Sequence, residues 1–530
     1  MTTAIFAVAL LFYVVVGALV ARRVKGSDDF YVMSEKAPTL LVVGTLAATY
    51  LSAVTLLGVA GIAYQEGPLV LSVTGSFGVW IGTLLAVVYI GRKMRALECR
   101  TLPDFFHRRF GSPVVTALAT VIMIIGLLGY GVIQLIGAGL IIGEITNIPF
   151  PVIIVVSVLA LLVFSALGGM YGVVVTDTLM FFSMLAVAVV VAPWIVSIVG
   201  LESIKGLSDT VEGYWTLAGT QDRPMSFTIS QFLVWVIFIS CTPALVSRVF
   251  PAKNDFVVLK SAAIGTFLAA FLQIPVFLAA SAMRVIEPGI EPADRVMIVA
   301  FLDHVPPLLG GIGLAALMAA IMSTASTLFV LAGFGLSRDL YENLRREPIG
   351  EAHRMRVSRA AQVIIGLVVT AVAIAQPAAI YWISIYAGAI FGVGWLPTVI
   401  AGLEWRRMNR HAALGSMTIG VSTFVVVTEL TRSGLVVLPP LVDALTISLA
   451  AAIVSLVVIA KLTRPSAEEA DYFRQIEATS PSRRTLDELL ASPAPLATLK
   501  REYRQVMWIT AVMLLTALAL WAYLGARLAF

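Results

Sequence analysis

The sequence predicts an all-α membrane protein of about 14 transmembrane helices, with a 5+5 inverted repeat whose first helices are discontinuous. Three observations point there. Hydrophobic residues make up 59% of the chain and charged residues 13%, about half the soluble norm of roughly 25%. Apolar runs recur from end to end, most near the roughly 20 residues that a span requires. Two of these runs, five spans apart, are interrupted where a helix would otherwise be continuous. With a mean hydropathy of +0.96, a soluble multidomain enzyme is excluded.

The first run, 3–21, has no basic residue before it and is followed by Arg22, Arg23 and Lys25. A signal peptide carries its charge first, so this run is expected to stay as a helix with its N-terminus outside. The others lie at 38–64, 69–91, 113–143, 151–168, 172–200, 226–249, 256–284, 307–336, 357–376, 380–404, 411–430, 437–461 and 506–525. Threaded from outside, they leave only Lys205, Arg223, Arg284, Arg295, Arg432 and Arg527 of the 36 basic residues on the outer side. That asymmetry is the positive-inside pattern of a cell (inner/plasma) membrane protein, with both termini outside.

The chain divides into an extra N-terminal helix and inner loop (1–37), two five-helix repeats (38–200 and 227–404), two additional helices (411–461), a polar cytoplasmic segment (462–505) and a last helix (506–530). The polar segment is expected to form short amphipathic helices near 471–477 and 485–490 and is too small for a catalytic domain. The outer loop 285–306 carries Glu287, Glu291, Asp294 and Asp303, read as a solvated face. Cys99 and Cys241 imply no disulfide or metal framework. The net charge of +5 calls for no nucleic acid.

Four features carry chemistry. Pro243 interrupts the seventh span within Phe238-Ile-Ser-Cys-Thr-Pro-Ala-Leu, removing a backbone donor and freeing a carbonyl one turn back. Thr49, Tyr50, Ser52 and Thr55 interrupt the second span. Such backbone is tolerated at membrane depth only inside protein or beside a wet cavity, and paired broken helices mark transporter midplane sites. Asp177, about five residues into span six, is an ionisable group expected to face a cavity or a partner. In span nine, Ala320, Ser323, Thr324 and Thr327 share one helical face, which either lets membrane helices approach closely or offers a carbonyl and three hydroxyls to a small hard cation.

These residues resemble the sodium:solute symporter family over nearly the whole chain. The resemblance is carried by Asp29-Phe-Tyr-Val-Met-Ser-Glu, Thr101-Leu-Pro-Asp-Phe-Phe with Arg109-Phe-Gly, Gly168-Gly-Met-Tyr-Gly-Val-Val-Val-Thr-Asp177, Ala320-Ile-Met-Ser-Thr, Asp339-Leu-Tyr, and Trp395-Leu-Pro followed by Trp405-Arg-Arg. It implies a leucine-transporter-like fold and sodium-coupled uptake of a solute across the lipid bilayer. It also implies a sodium (Na+) site made of the carbonyls of Ala48, Leu51 and Ala320 with the hydroxyls of Ser323 and Thr324. A second sodium, held in some members, would fall on Asp177, Ser323, Ser326 and Thr327.

The chain departs from the family at Val175 and Met180, where Trp and Gln are frequent. It also departs at Ile239, Thr242 and Pro243, where sugar carriers have Trp, Asn and Gln. A sugar needs dense polar partners, since unpaired buried hydroxyls are costly, so a monocarboxylate or other organic acid, or an amino-acid-like solute, fits better. The candidate lining residues are Tyr50, Thr55, Trp80, Gln134, Cys241, Thr242 and Pro243. Proton coupling through Asp177 is the alternative. A transporter-like sensor would need a separate signalling partner on 463–505, and a small membrane subunit stays open. No His-Glu-x-x-His, Gly-x-Ser-x-Gly or phosphate loop occurs, so no enzyme is expected.

Overall fold

The structure is a computed structural model that describes residues 1–22, 33–345, 349–375, 378–439, 442–479, 483–491 and 493–528. Arg23, Lys25 and the Asp29–Val32 part of the family-like motif lie outside the described residues. A hydrocarbon solvent cannot satisfy backbone N–H and C=O groups. Accordingly the described residues form helices and no strand, apart from one isolated bridge between Ala37 and Ala252.

In chain order the principal helices are α1 (Thr2–Ala21), α2 (Thr39–Tyr50), α3 (Val54–Glu66), α4 (Gly75–Ala96), α5 (Leu102–Phe110), α6 (Pro113–Ile145) and α7 (Phe150–Val163). They continue with α8 (Gly169–Lys205), α9 (Met225–Cys241), α10 (Pro243–Val249), α11 (Asp255–Ile286), α12 (Pro307–Arg345), α13 (Ala352–Ile374) and α14 (Ile380–Glu404). The chain ends with α15 (Arg410–Arg432), α16 (Ala444–Leu462), α17 (Ala467–Ala478), α18 (Arg483–Leu490) and α19 (Pro495–Leu520). Among the described residues, eleven helices are long and apolar enough to span a bilayer, or thirteen if each bent pair counts as one; α7 is a shorter apolar helix.

Both expected interruptions are there. α2 and α3 meet at 49°, and α9 and α10 at 47°. Each break is repaired by its own side chains. Leu51 leaves the helical region (φ −82°, ψ 70°), and the Thr55 hydroxyl donates to the stranded Tyr50 carbonyl at 2.7 Å. Pro243 has no N–H, and the Ile239 carbonyl one turn back instead accepts from the Thr242 amide at 3.3 Å. The Thr242 hydroxyl then satisfies the Phe238 carbonyl at 2.7 Å. Gly169 (φ 51°, ψ −155°) turns α7 into α8, a conformation open to a residue without a Cβ.

The centre of the bundle is α12, in which an 18-residue window is wholly buried. Its hydroxyl face is therefore turned on protein, not lipid. α1 and α19 lie at the other extreme, with apolar side chains such as Leu11, Leu19, Leu515 and Leu518 exposed where hydrocarbon would cover them.

On the charged side of the bundle, Arg109 is fully buried. It donates to the carbonyls of Gly402 and Met408, each at 2.8 Å, and of Glu469 at 3.2 Å. It thus ties α5, the end of α14 and α17 together, and its guanidinium is pushed down to about 10, first by burial, with Glu469 opposing. The helices expected near 471–477 and 485–490 are present as α17 and α18. Asp255 accepts from Arg92 and donates its amide to Thr485 at 3.1 Å, so this segment is pinned to the bundle. One expectation fails. Asp294 is buried rather than solvated; it accepts the Ile380 amide at the start of α14 at 3.3 Å, and burial raises its carboxyl.

Two tests follow from this packing. Arg109→Gln cannot reach three carbonyls at once, and each acceptor left buried costs about 1–3 kcal/mol; the variant should melt measurably lower in detergent than wild type. Cys99 and Cys241 are 3% and 0% exposed, and burial, then Asp104, raises the Cys99 thiol well above its usual value. Thiolate is the reactive species, so neither should take up maleimide until the protein is denatured.

Candidate functional site

The site grows from the break in α2–α3 and the hydroxyl face of α12. A helix leaves its last carbonyls without intrahelical partners. At the end of α2 the Ala47 carbonyl is taken by the Leu51 amide at 3.1 Å and that of Tyr50 by Thr55. Ala48 and Leu51 belong to the same unravelled turn. Opposite, the Ser323 Oγ and Thr324 Oγ1 atoms are buried with no hydrogen-bond partner. α2 packs on α12, and Thr324 lines one cavity with Thr49, Tyr50, Val54 and Thr55. Orphaned hydroxyl oxygens facing a frayed helix end suit a sodium ion, which needs several oxygens and no fixed proton donor.

Asp177 sits beside this group with no exposure. Its Oδ2 accepts from the Thr45 hydroxyl at 2.8 Å and lies 3.0 Å from Nη2 of the equally buried Arg248, while its Oδ1 has no partner. The contact depends on Gly44. A Cβ there would lie 2.6 Å from Thr178 Oγ1 and 2.8 Å from Thr178 Cα, so only glycine lets α2 lie this close to α8. Ser326 and Thr327 each donate a hydroxyl to the Ser323 carbonyl at 3.0 Å.

The cavity measures about 40 Å³, room for a few waters and well below the roughly 300–1,000 Å³ usual for small-molecule sites, so a solute has to widen it on entry. Its polar groups come from Thr49, Tyr50, Thr55, Tyr130, Thr242, Gln273 and Thr324, set in an apolar wall that includes Trp235, Phe238, Ile239 and Phe277. Among the described residues, no charged side chain lines it. Of the expected lining residues, Tyr50, Thr55 and Thr242 are there, with the Tyr50 hydroxyl unpartnered. Trp80, Gln134, Cys241 and Pro243 are not part of the lining. Trp80 stacks on Phe77, Gln134 is wholly buried with neither amide atom bonded, and Pro243 acts through the break it makes.

Sequence reasoning missed Arg248, counted with the inner-loop charges although it lies within the stretch Ala244–Val249. A lone charge inside such a stretch was the available signal. It also missed Gln273, whose Oε1 accepts from Ser76 at 3.0 Å and which is likewise the single amide of a long apolar run. Tyr130 gave no comparable signal.

A sequence model of the sodium:solute symporter family matches residues 30–420. The chain belongs to that family and is a multi-pass, sodium-coupled solute symporter, a transporter and not an enzyme. The sodium/pantothenate symporter of Escherichia coli is 27% identical over 442 residues, covering 81% of this chain and 89% of that protein. The sodium/proline symporter of the same organism is 24% identical over 452 residues, covering 79% and 86%. Among solved structures, a substrate-bound, outward-open Na+-coupled sialic acid symporter superposes with a TM-score of 0.70 at 19% identity, covering 88% of this chain and 99% of that one. That likeness shows a shared fold.

The break in α9–α10 can be tested directly. Pro243→Ala restores a backbone donor and should let the helix close through Thr242. Solute affinity should then fall by more than about tenfold, roughly 1.4 kcal/mol, at unchanged expression. Uptake within about twofold of wild type would place the solute away from this break.

Proposed function

We propose that this symporter carries a small organic acid or amino-acid-like solute into the cell, driven by sodium bound at the carbonyls of Ala48, Leu51 and Ala320 and the hydroxyls of Ser323 and Thr324. One observation carries the reading: Thr324 belongs both to the hydroxyl pair of α12 and to the wall of the cavity. Ion and solute then adjoin, so each raises the other's affinity, which is what coupling requires. The cavity's few polar groups suit a solute with one compact polar end and an apolar remainder. A carboxylate finds no basic side chain there and would be met by the Tyr50 hydroxyl, Gln273 and the sodium itself. Pantothenate and proline, the solutes named for the two relatives above, both carry a carboxylate; proline has the apolar remainder, whereas pantothenate adds an amide and two hydroxyls.

The fold supports a longer count as well. Taking each bent pair as one span and adding α7 gives fourteen, with the broken helices opening two five-helix units of opposite orientation, and with both termini outside the plasma membrane. Proton coupling is disfavoured. Asp177 is held by Arg248 at 3.0 Å, and protonating it would leave a buried guanidinium uncompensated.

Reconstituted protein settles these points. With and without an inward sodium gradient, labelled pantothenate, proline and a neutral sugar should be offered to proteoliposomes. Sodium-stimulated uptake of one of the first two and not the sugar is expected. Ser323→Ala and Thr324→Ala should each raise the sodium concentration for half-maximal uptake at least about tenfold, because a ligand lost in a low-dielectric site is not replaced by water. Unchanged values in both would exclude this ion site. For orientation, a cysteine at Leu435, 75% exposed, should react with an impermeant maleimide in intact cells, and one at Arg406 should not.

A further inference from the structure

The positions that a second sodium would use already hold a cation. Arg248 is wholly buried. Its Nη2 lies 3.0 Å from Asp177 Oδ2 and also donates to the Thr327 hydroxyl. Its Nε donates to Thr49 Oγ1 at 2.9 Å, and its Nη1 faces the Met170 sulfur at 3.7 Å. We propose that the guanidinium of Arg248 is a resident second cation, and that this symporter therefore binds and carries a single sodium per cycle. The proposal rests on the sodium reading of the Ser323–Thr324 site given above.

Lone pairs and charge both support it. A sodium ion needs several oxygen lone pairs converging on one point. Thr327 gives its proton to the Ser323 carbonyl and receives Arg248 on its oxygen. Ser326 also gives its proton to that carbonyl, which leaves its oxygen lone pairs open. Asp177 Oδ2 is engaged by Thr45 and Arg248. Asp177 Oδ1 and Ser323 Oγ accept no hydrogen bond, but Ser323 Oγ already serves the first site, so what excludes a further ion is chiefly charge. One carboxylate faces this cluster, and the guanidinium neutralises it. A further sodium would bring an uncompensated like charge to within a few ångströms in a medium that screens poorly.

The guanidinium cannot give up its charge by losing a proton. Because it is tethered to α10, it cannot diffuse out of the site, where an ion would have to leave and return. The hydroxyls of Thr49 and Thr327 are thus a cage for Arg248. Their polarity, which reads in the sequence as a second ion site, has this other cause.

The test is equilibrium binding of radiolabelled sodium to the purified full-length chain in lipid nanodiscs. Wild type should bind one saturable sodium per chain with a Hill coefficient of about 1, and Thr324→Ala should weaken it at least about tenfold. Arg248→Lys keeps the charge and should keep one sodium. Arg248→Gln exposes Asp177 and should bind a second. If that variant does not assemble, the charge-neutral double variant Asp177→Asn with Arg248→Gln supplies the check, and it should still bind one sodium. Two sodium ions on wild type, or loss of the single sodium in a folded double variant, would overturn the proposal while leaving sodium coupling intact. No saturable sodium on wild type would overturn the sodium reading and this inference with it.

Discussion

A bilayer gives the backbone no water, so any interruption of a helix at membrane depth has to be repaired from within. The breaks at Leu51–Ala53 and Thr242 show the repair being made by adjacent hydroxyls, Thr55 on Tyr50 and Thr242 on Phe238. Each hydroxyl satisfies one carbonyl and leaves its neighbours at the frayed end for something else. The rest of the site follows from that remainder. The unravelled turn of α2 supplies carbonyls, the buried face of α12 supplies unpartnered hydroxyls, and the cavity lies against both.

Two arginines, both fully buried, hold this arrangement in different ways. Arg109 hydrogen-bonds to carbonyls and lies over the Phe110 and Phe473 rings, so three elements at the end of the bundle converge on one planar donor. Removing it would strand neutral acceptors. Arg248 meets a carboxylate and two hydroxyls, and it joins α10 to α2, α8 and α12. Breaking a buried pair of this kind leaves a charge in low dielectric, which costs several kcal/mol. The first cluster is a clasp between helices. The second neutralises a buried carboxylate beside the hydroxyl face of α12.

Much of this was legible in the chain. Span positions, both interrupted helices and the hydroxyl face at Ser323 and Thr324 follow from hydropathy, proline chemistry and the 3.6-residue turn, all of which act over one helix length or less. The fully buried position of α12 agrees with a run of small and hydroxylated residues that carries no charge from Pro307 to Ser337. The family resemblance was likewise legible, since its motifs lie within short stretches.

What the sequence did not show depends on neighbours far apart in the chain. Asp294 lies in an acidic loop and looked solvated, yet it is buried against the Ile380 amide 86 residues away. Arg248 was indistinguishable by count from a loop charge, and its partners Thr49, Asp177 and Thr327 come from three other helices. Trp80 and Gln134 had the right chemistry for the cavity but face elsewhere, because a helix's rotation about its axis is set by packing and not by composition. The sequence by itself determined an apolar helical bundle with broken helices, since solvent and backbone chemistry act locally on each segment, and its short motifs carried the family resemblance that implies sodium coupling. Only the tertiary structure decided which polar groups share the site and which cation already sits on Asp177, because those contacts exist only once helices close on one another through positions such as Gly44.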